Sequence, residues 1–307
     1  MAATSAKTQS FALVVVNYGS SALLELNLAR ITVAPEHGFI VVVDNYTTME
    51  ERTRVARLAT DKNWHFLSLD HNEGFGRGVN AGADFALGLG AECIVTLNPD
   101  ASISTSDLQS LVALVRDDPG LMVAPTIRTS EGDLWFDGMW LYQESGRVAS
   151  SRRPNPPRGR AIPWITGACF AISREMWIAV DGFDDDFFLY WEDVDLSRRV
   201  VAHGGRLAVE SSLSAIHDEG GTQGRRIDSR KKSEIYYFYN IRNRMLFAAK
   251  HLNRRGFWGW MLCTPRVSYE ILLEGGRRQL LESFTPWRAF ALGILHGAVV
   301  ATKARFK

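Results

Sequence analysis

Two runs near the start of the chain, FALVVVN at 11–17 and FIVVVD at 39–44, are apolar and β-branched with almost no alternation. That pattern predicts strands covered on both faces, as in a parallel sheet. Between them, SALLELNLARI spaces Leu and Ile as a helix does. The alternation continues with a polar helical stretch near 48–60, a strand near 64–69 and a small-residue helix near 76–89. A strand at ECIVTLN (92–98), a helix near 106–116 and a strand at LMVAPT (121–126) follow. Strands alternating with helices imply an α/β domain with a parallel sheet between two helical layers. Ligands of such sheets bind at the carboxyl ends of the strands. The predicted strands end in polar groups at that edge: Asn17, Asp44, Asp70 with Asn72, then Asn98, Pro99 and Asp100. Taken together they mark a candidate site.

Beyond residue 127 the pattern changes. GDLWFDGMWL predicts a hairpin, SRRPNPPRGR a loop, and WITGACFAIS one more strand. FLYWEDVDLSRR (188–199) then crowds Glu192, Asp193 and Asp195 behind five bulky residues, Phe187 to Trp191. A helix is expected to begin near Glu192, because carboxylates in a first turn suit the helix dipole, and Asp195 lies i,i+4 from Arg199. From Ser233 the pattern predicts long helices over roughly 233–252, 257–281 and 286–303.

Composition adds a division that the pattern alone does not show. The net charge of +1 over 307 residues, 46% hydrophobic and 22% charged, suits an ordinary globular chain. Residues 1–224, however, hold 18 Lys/Arg against 29 Asp/Glu, whereas residues 225–307 hold 17 against 5. The basic tail also carries Phe257, Trp258, Trp260, Phe284, Trp287 and Phe290, a mixture suited to an anionic membrane surface. A solvated basic bundle or an oligomer interface reads equally well from these residues. A domain over 1–225 and a basic helical region over 226–307 are expected. Cys93, Cys169 and Cys263 match no zinc or redox spacing and read as buried thiols of a reducing compartment. MAATSAKTQS lacks the order of a secretory signal and no run approaches ~20 apolar residues, so a cytoplasmic place is expected, with peripheral contact at the inner face of the membrane. Nucleic-acid recognition motifs are absent.

Five motifs in order, HNEGFGRGVNAG (71–82), LNPDA (97–101), WITGACF (164–170), GFDDDFFLYWEDVDLSRR (182–199) and HDEGGT (217–222), resemble the family 2 glycosyltransferases, in particular their bacterial rhamnosyltransferase-like branch. The glycines at 74, 76, 78 and 82 do not complete G-x-G-x-x-G and follow the third strand, which disfavours a dinucleotide-binding oxidoreductase.

The resemblance implies a GT-A fold, a nucleoside diphosphate sugar donor, Mg²⁺ or Mn²⁺, and inversion at the anomeric carbon. It assigns Asp100 and His217 to the metal, a carboxylate and imidazole pair suited to such an ion. Family members commonly carry a second Asp where this chain has Asn98, so Asn98 is expected to hydrogen-bond the donor's ribose or sugar. Asp44 would hydrogen-bond the pyrimidine ring with Asn17 nearby in the donor site, Arg77 and Asn80 would face the nucleotide and diphosphate, and Gly167 and Ala168 would line the donor sugar pocket. Asp193 would be the base that takes the acceptor's proton. Glu192 would hold the acceptor sugar, with Trp191 or Tyr190 as a flat face for its ring, and Asp195 would be structural. The function implied is transfer of a sugar, L-rhamnose from dTDP-L-rhamnose in the first place or from a UDP-sugar donor, onto a glycan or polyprenyl-diphosphate-linked acceptor of cell-surface polysaccharide. The alternative is a non-catalytic subunit of the same fold that binds nucleotide or glycan.

Overall fold

The structure, a computed structural model, describes residues 10–150, 152, 154–217 and 231–306. In chain order the elements begin with β1 Phe11–Asn17, α1 Ser21–Leu26, β2 Gly38–Asp44, α2 Met49–Asp61, β3 His65–Ser68 and α3 Phe75–Gly88. Next come β4 Cys93–Leu97, β5 Ala101–Ile103, α4 Thr105–Asp117, β6 Leu121–Arg128, β7 Leu134–Phe136, β8 Met139–Tyr142, β9 Arg147–Ser150 and β10 Ala161–Trp164. They are followed by β11 Cys169–Ser173, α5 Arg174–Val180, α6 Glu192–Ala202 and β12 Arg206–His217. The last four helices are α7 Glu234–His251, α8 Arg254–Leu273, α9 Arg277–Glu282 and α10 Thr285–Arg305. Two compact units result: residues 1–138, 165–185 and 196–225 form the first, and 139–164, 186–195 and 226–307 the second.

The first unit is built on one sheet, ordered β3-β2-β1-β4-β11-β6-β12-β5, with β7 paired to β6. β3, β2, β1 and β4 run parallel, β11 is antiparallel between β4 and β6, and β12 is again parallel to β6. The expected parallel sheet is therefore mostly parallel, with antiparallel exceptions. Every residue of β1 and β4 is buried, which explains their unbroken apolar character. α3 lies close on this sheet because it carries glycine where it touches: a Cβ on Gly78 would stand 2.8 Å from Val16, and one on Gly82 2.5 Å from Val14. Helix starts are set locally: Thr48 and Ser104 accept from the backbone N–H of Glu51 and Asp107 at the heads of α2 and α4.

The second unit joins a small sheet, β10-β8-β9, to the C-terminal helices. Its core packs Leu141, Phe187, Trp191, Val194, Met245, Phe247, Phe257 and Trp260. α10 approaches α7 through a small-residue row at Ala289, Gly293, Gly297 and Ala301, all buried; a Cβ on Gly297 would stand 2.6 Å from Met245. The fully buried Arg244 guanidinium lies over Trp260, 4.8 Å from the ring centre, and donates to Ser145 O at 2.6 Å and Thr264 Oγ1 at 2.9 Å. Burial lowers its pKa to about 10, which leaves it charged at neutral pH.

Two expectations change. GDLWFDGMWL does not fold into a hairpin, since its arms β7 and β8 belong to different sheets. The helix expected over 257–281 begins earlier, where Asn253 caps Gly256 N at 2.8 Å, and is broken at Gly275 and Gly276, the latter at φ 83°.

Candidate active site

In the first unit, parallel register sets Asn17 beside Asp44 at the carboxyl ends of β1 and β2, both fully buried. Half of each side chain has a partner. Asn17 Oδ1 accepts from Ser20 N at 3.0 Å, and Asp44 Oδ2 accepts from Arg52 Nε at 2.7 Å. The remaining atoms, Asn17 Nδ2 and Asp44 Oδ1, are buried with no hydrogen-bond partner. Neighbouring strand ends thus leave one donor and one acceptor unmatched among the described residues, both on side chains with no exposed surface.

The loop after β2 is tied to the HNEG segment. Asn45 Nδ2 donates to Asn72 Oδ1 at 3.0 Å and Gly74 O at 2.9 Å, and Asn45 Oδ1 accepts from Glu73 N at 2.8 Å. On α3, Arg77 is half exposed and meets Glu73 at 3.0 Å and Asp185 at 3.5 Å. Asn80 donates to Phe183 O at 2.8 Å and accepts from Phe183 N at 2.8 Å. Both ends of that amide are thus bonded to one backbone residue, and its Nδ2 also lies 3.3 Å from Asp185 Oδ1.

Farther along the edge, Asn98 N donates to Ala168 O at 2.9 Å and Thr96 Oγ1 to Gly167 O at 3.3 Å, which brings the turn before β11 against the end of β4. β12 reaches the same edge by pairing antiparallel with β5, in a register that sets His217 opposite Ala101. His217 Nε2 is consequently 3.1 Å from Asp100 Oδ1, with the side chains 6% and 11% exposed. The ring of Trp135 lies against the imidazole at 4.4 Å, and His217 Nδ1 is buried with no hydrogen-bond partner among the described residues. No cluster of three or more potential ligands occurs among the described residues. A carboxylate and an imidazole this close fit two positions of an Mg²⁺ or Mn²⁺ shell whose other positions are filled by phosphate oxygens and water. Residues 218–222 of HDEGGT lie outside the described residues.

Tyr190, Trp191, Glu192, Asp193 and Asp195 all belong to the second unit. Tyr190 and Trp191 both have left-handed backbones, φ 65° and 74°, an arrangement non-glycine residues seldom adopt. Directly after them α6 opens with Glu192, Asp193 and Asp195 in its first turn. Trp191 is not a free sugar platform: it is 6% exposed and packed against Phe247 and Trp260 at 5.5 and 6.2 Å between ring centres. Tyr190 is half-buried and meets Tyr236 edge-on at 5.2 Å.

Glu192 is buried, its Oε2 has no hydrogen-bond partner, and burial, followed by the charge of Asp193, drives its carboxyl well above the usual range. Asp193 is half-buried. Asp195 is fully buried and faces His251 Nε2 at 2.5 Å, a partner 56 residues away that sequence spacing gives no means of finding. Cys93 and Cys169 are buried thiols held at a pKa of about 12 by desolvation and are chemically inert.

A model of glycosyl transferase family 2 matches residues 13–179. The low-salt glycan biosynthesis hexosyltransferase Agl10 of Haloferax volcanii is 24% identical over 297 residues, covering 93% of this chain and 90% of that protein. The N-acetylglucosaminyl-diphospho-decaprenol L-rhamnosyltransferase of Mycobacterium tuberculosis is 25% identical over 253 residues, 71% of this chain and 79% of that one. Among solved structures, a mannosyltransferase of Pyrobaculum calidifontis in complex with GDP-Man and Mn²⁺ aligns with a TM-score of 0.56 at 13% identity, over 96% of this chain and 86% of that chain. The fold shared is the GT-A arrangement, and C-terminal helices are present.

Proposed function

The chain belongs to glycosyltransferase family 2, and we propose that it transfers a sugar, with inversion, from a nucleoside diphosphate donor to a hydroxyl of a lipid-linked glycan. L-Rhamnose from dTDP-L-rhamnose is the first choice, in keeping with the rhamnosyltransferase among its relatives. The observation that supports this reading best is the Asp100 and His217 pair, drawn together at the sheet edge where the buried Asn17 Nδ2 and Asp44 Oδ1 also lack partners among the described residues. Asp44 Oδ1 accepts the ring N–H of a pyrimidine, and Asn17 Nδ2 donates to a neighbouring ring carbonyl. Gly167 and Ala168 leave room for the donor sugar, and Asn98 bonds its hydroxyls. Asp100 and His217 would hold Mg²⁺ or Mn²⁺, and that ion would supply neutralisation of the charge on the departing diphosphate.

In the reaction the acceptor oxygen bonds to the anomeric carbon while the bond from that carbon to the diphosphate oxygen breaks, its electron pair leaving with the diphosphate. The acceptor's proton goes to Asp193. Between the two neighbouring carboxyls the base is Asp193, as the family resemblance assigns it, and Glu192, driven well above the usual carboxylate range by burial, lies beside it to hold the acceptor sugar.

Thermal-shift measurements on the intact protein against dTDP, UDP and GDP, each with Mg²⁺, Mn²⁺ or EDTA, followed by transfer assays with the matching sugars, test this reading. Metal-dependent stabilisation by a pyrimidine diphosphate is expected. A response confined to GDP, or to none, overturns the donor assignment.

The acceptor reading extends to a lipid surface. On α8, Arg255, Trp258, Leu262, Arg266 and Tyr269 recur at helical spacing and are exposed, opposite the buried Phe257, Trp260, Thr264 and Val267. Leu281 and Phe284 nearby in sequence are 89% and 76% exposed. Apolar side chains flanked by arginines suit an anionic bilayer face, with about 1 kcal/mol for each cation near the surface. Among the described residues no helix is long and apolar enough to cross a membrane. Co-sedimentation with phosphatidylglycerol vesicles should fall severalfold in a Leu262→Glu, Leu281→Glu double variant. Equal binding removes the membrane contact.

A further inference from the structure

The acidic start of α6 does not hold its own shape. Two consecutive left-handed residues that are not glycine cost on the order of 1–3 kcal/mol each and persist only where their surroundings impose them. Within the second unit that restraint comes from one face of α7. Asn243, fully buried, donates from Nδ2 to Leu189 O at 2.9 Å and to Tyr190 O at 2.7 Å. Its Oδ1 accepts from Arg242 Nη1, and the same nitrogen donates to Asp186 O at 3.0 Å. One helical turn on either side, Tyr239 stacks on Phe188 at 5.2 Å and Phe247 packs on Trp191. Lys250 pairs with Asp186 at 2.6 Å and His251 with Asp195. Residues 239, 243, 247, 250 and 251 follow the i,i+3 and i,i+4 spacing of a single helix face.

We infer that Asn243 is a positioning residue for glycosyl transfer: its amide clamps the left-handed turn at Tyr190 and Trp191 and so sets the direction in which Glu192 and Asp193 leave the first turn of α6. The inference rests on Asp193 as the base. The single Nδ2 supplies both N–H groups, and the carbonyls it engages, of Leu189 and Tyr190, lie within three residues of Glu192. Asn243→Asp keeps size and shape but removes the donors and faces two carbonyl oxygens with a carboxylate.

The test is a double-mutant cycle over Asn243→Asp and Asp193→Asn, read as kcat, donor KM, nucleotide affinity and Tm. Asn243→Asp alone should lower kcat about tenfold or more, with donor KM and nucleotide affinity within twofold of the parent. In the Asp193→Asn background the same change should cost kcat less than twofold, because the group it positions is already gone. Losses that multiply across the cycle, or an Asn243→Asp enzyme with parental kcat, overturn the inference. Full turnover by Asp193→Asn with a slow Asn243→Asp instead overturns the base assignment and separates the two readings. Should the Asn243 variant not fold, amide exchange in the parent protein decides. Protection across 190–195 equal to that in α7 is expected, and exchange of that stretch at open-loop rates with α7 protected refutes the clamp.

Discussion

Asp100 and Asp193 are both carboxylates with candidate roles in one reaction, yet they are held by opposite means. Asp100 follows a buried strand and gains its partner through long-range register, β12 returning to lay His217 against β5. Asp193 has two acidic neighbours within its own helical turn and is presented by a left-handed turn that a distant helix restrains. The sheet edge of the first unit is also left with open polar atoms at Asn17 and Asp44, whereas the backbone carbonyls before α6 are engaged by Asn243. Strand ends with unmatched polar atoms suit a ligand that brings its own partners. A crowded, desolvated group of carboxylates suits proton transfer.

The largest test of this contrast is Asp193→Asn. Loss of a general base should lower kcat by about 10²–10⁴ while nucleotide affinity is kept, as measured by steady-state transfer and calorimetry. Unchanged turnover would leave the acidic cluster without a catalytic part. His217→Ala and Asp100→Asn should each lower transfer by ~10² and abolish the difference between Mg²⁺ and EDTA in thermal shift, the sheet-edge signature that Asp193→Asn lacks.

Next comes Asp44→Ala, for which donor KM should rise about tenfold, the equivalent of roughly 1.4 kcal/mol, with little change in kcat. An effect on kcat alone would move Asp44 out of the nucleobase contact. The smallest expected effect concerns Glu192→Gln. Below the ordinary carboxylate range Glu192 is protonated whether the chain is folded or not, so the variant should match the parent. As pH rises, the unfolded chain releases that proton while the buried carboxyl retains it, and parental stability falls until the folded group ionises. The variant's advantage in stability should therefore be absent below the ordinary carboxylate range and grow as pH rises through and beyond it until the folded carboxyl ionises, by at most ~1.4 kcal/mol per pH unit crossed. An advantage that shrinks with rising pH contradicts the buried, neutral carboxyl.

Much of the first unit was readable because its strands are buried on both faces and its helices carry local caps. Runs such as FALVVVN announce themselves, and the polar residue at each strand end falls on one edge wherever the strands are parallel. GDLWFDGMWL shows where that logic stops. Its aromatic residues promise strands, but nothing in their order says that LWF pairs with β6 and MWLY with β9 and β10. Trp191 teaches the same at the level of one residue: an aromatic next to carboxylates looks like a sugar platform until Phe247 and Trp260 are found on its ring. Asn243 carried a faint signal, a polar pair in the aromatic YYFYNIRNR stretch, which does not tell a buried clamp from a solvated face.

Periodicity and strand ends were enough for the α/β class and for setting Asn17 and Asp44 at one edge, because each depends on neighbours within a few positions, whereas Asp100, Asp193 and His217 were singled out only by the resemblance in motif order. Folding alone settled that His217 comes within 3.1 Å of Asp100, that Asp195 meets His251, and that Asn243 grips the turn before Glu192. These pairings join residues 53 to 117 positions apart. Over such separations the partner is chosen by strand register and helix packing, which no local pattern encodes.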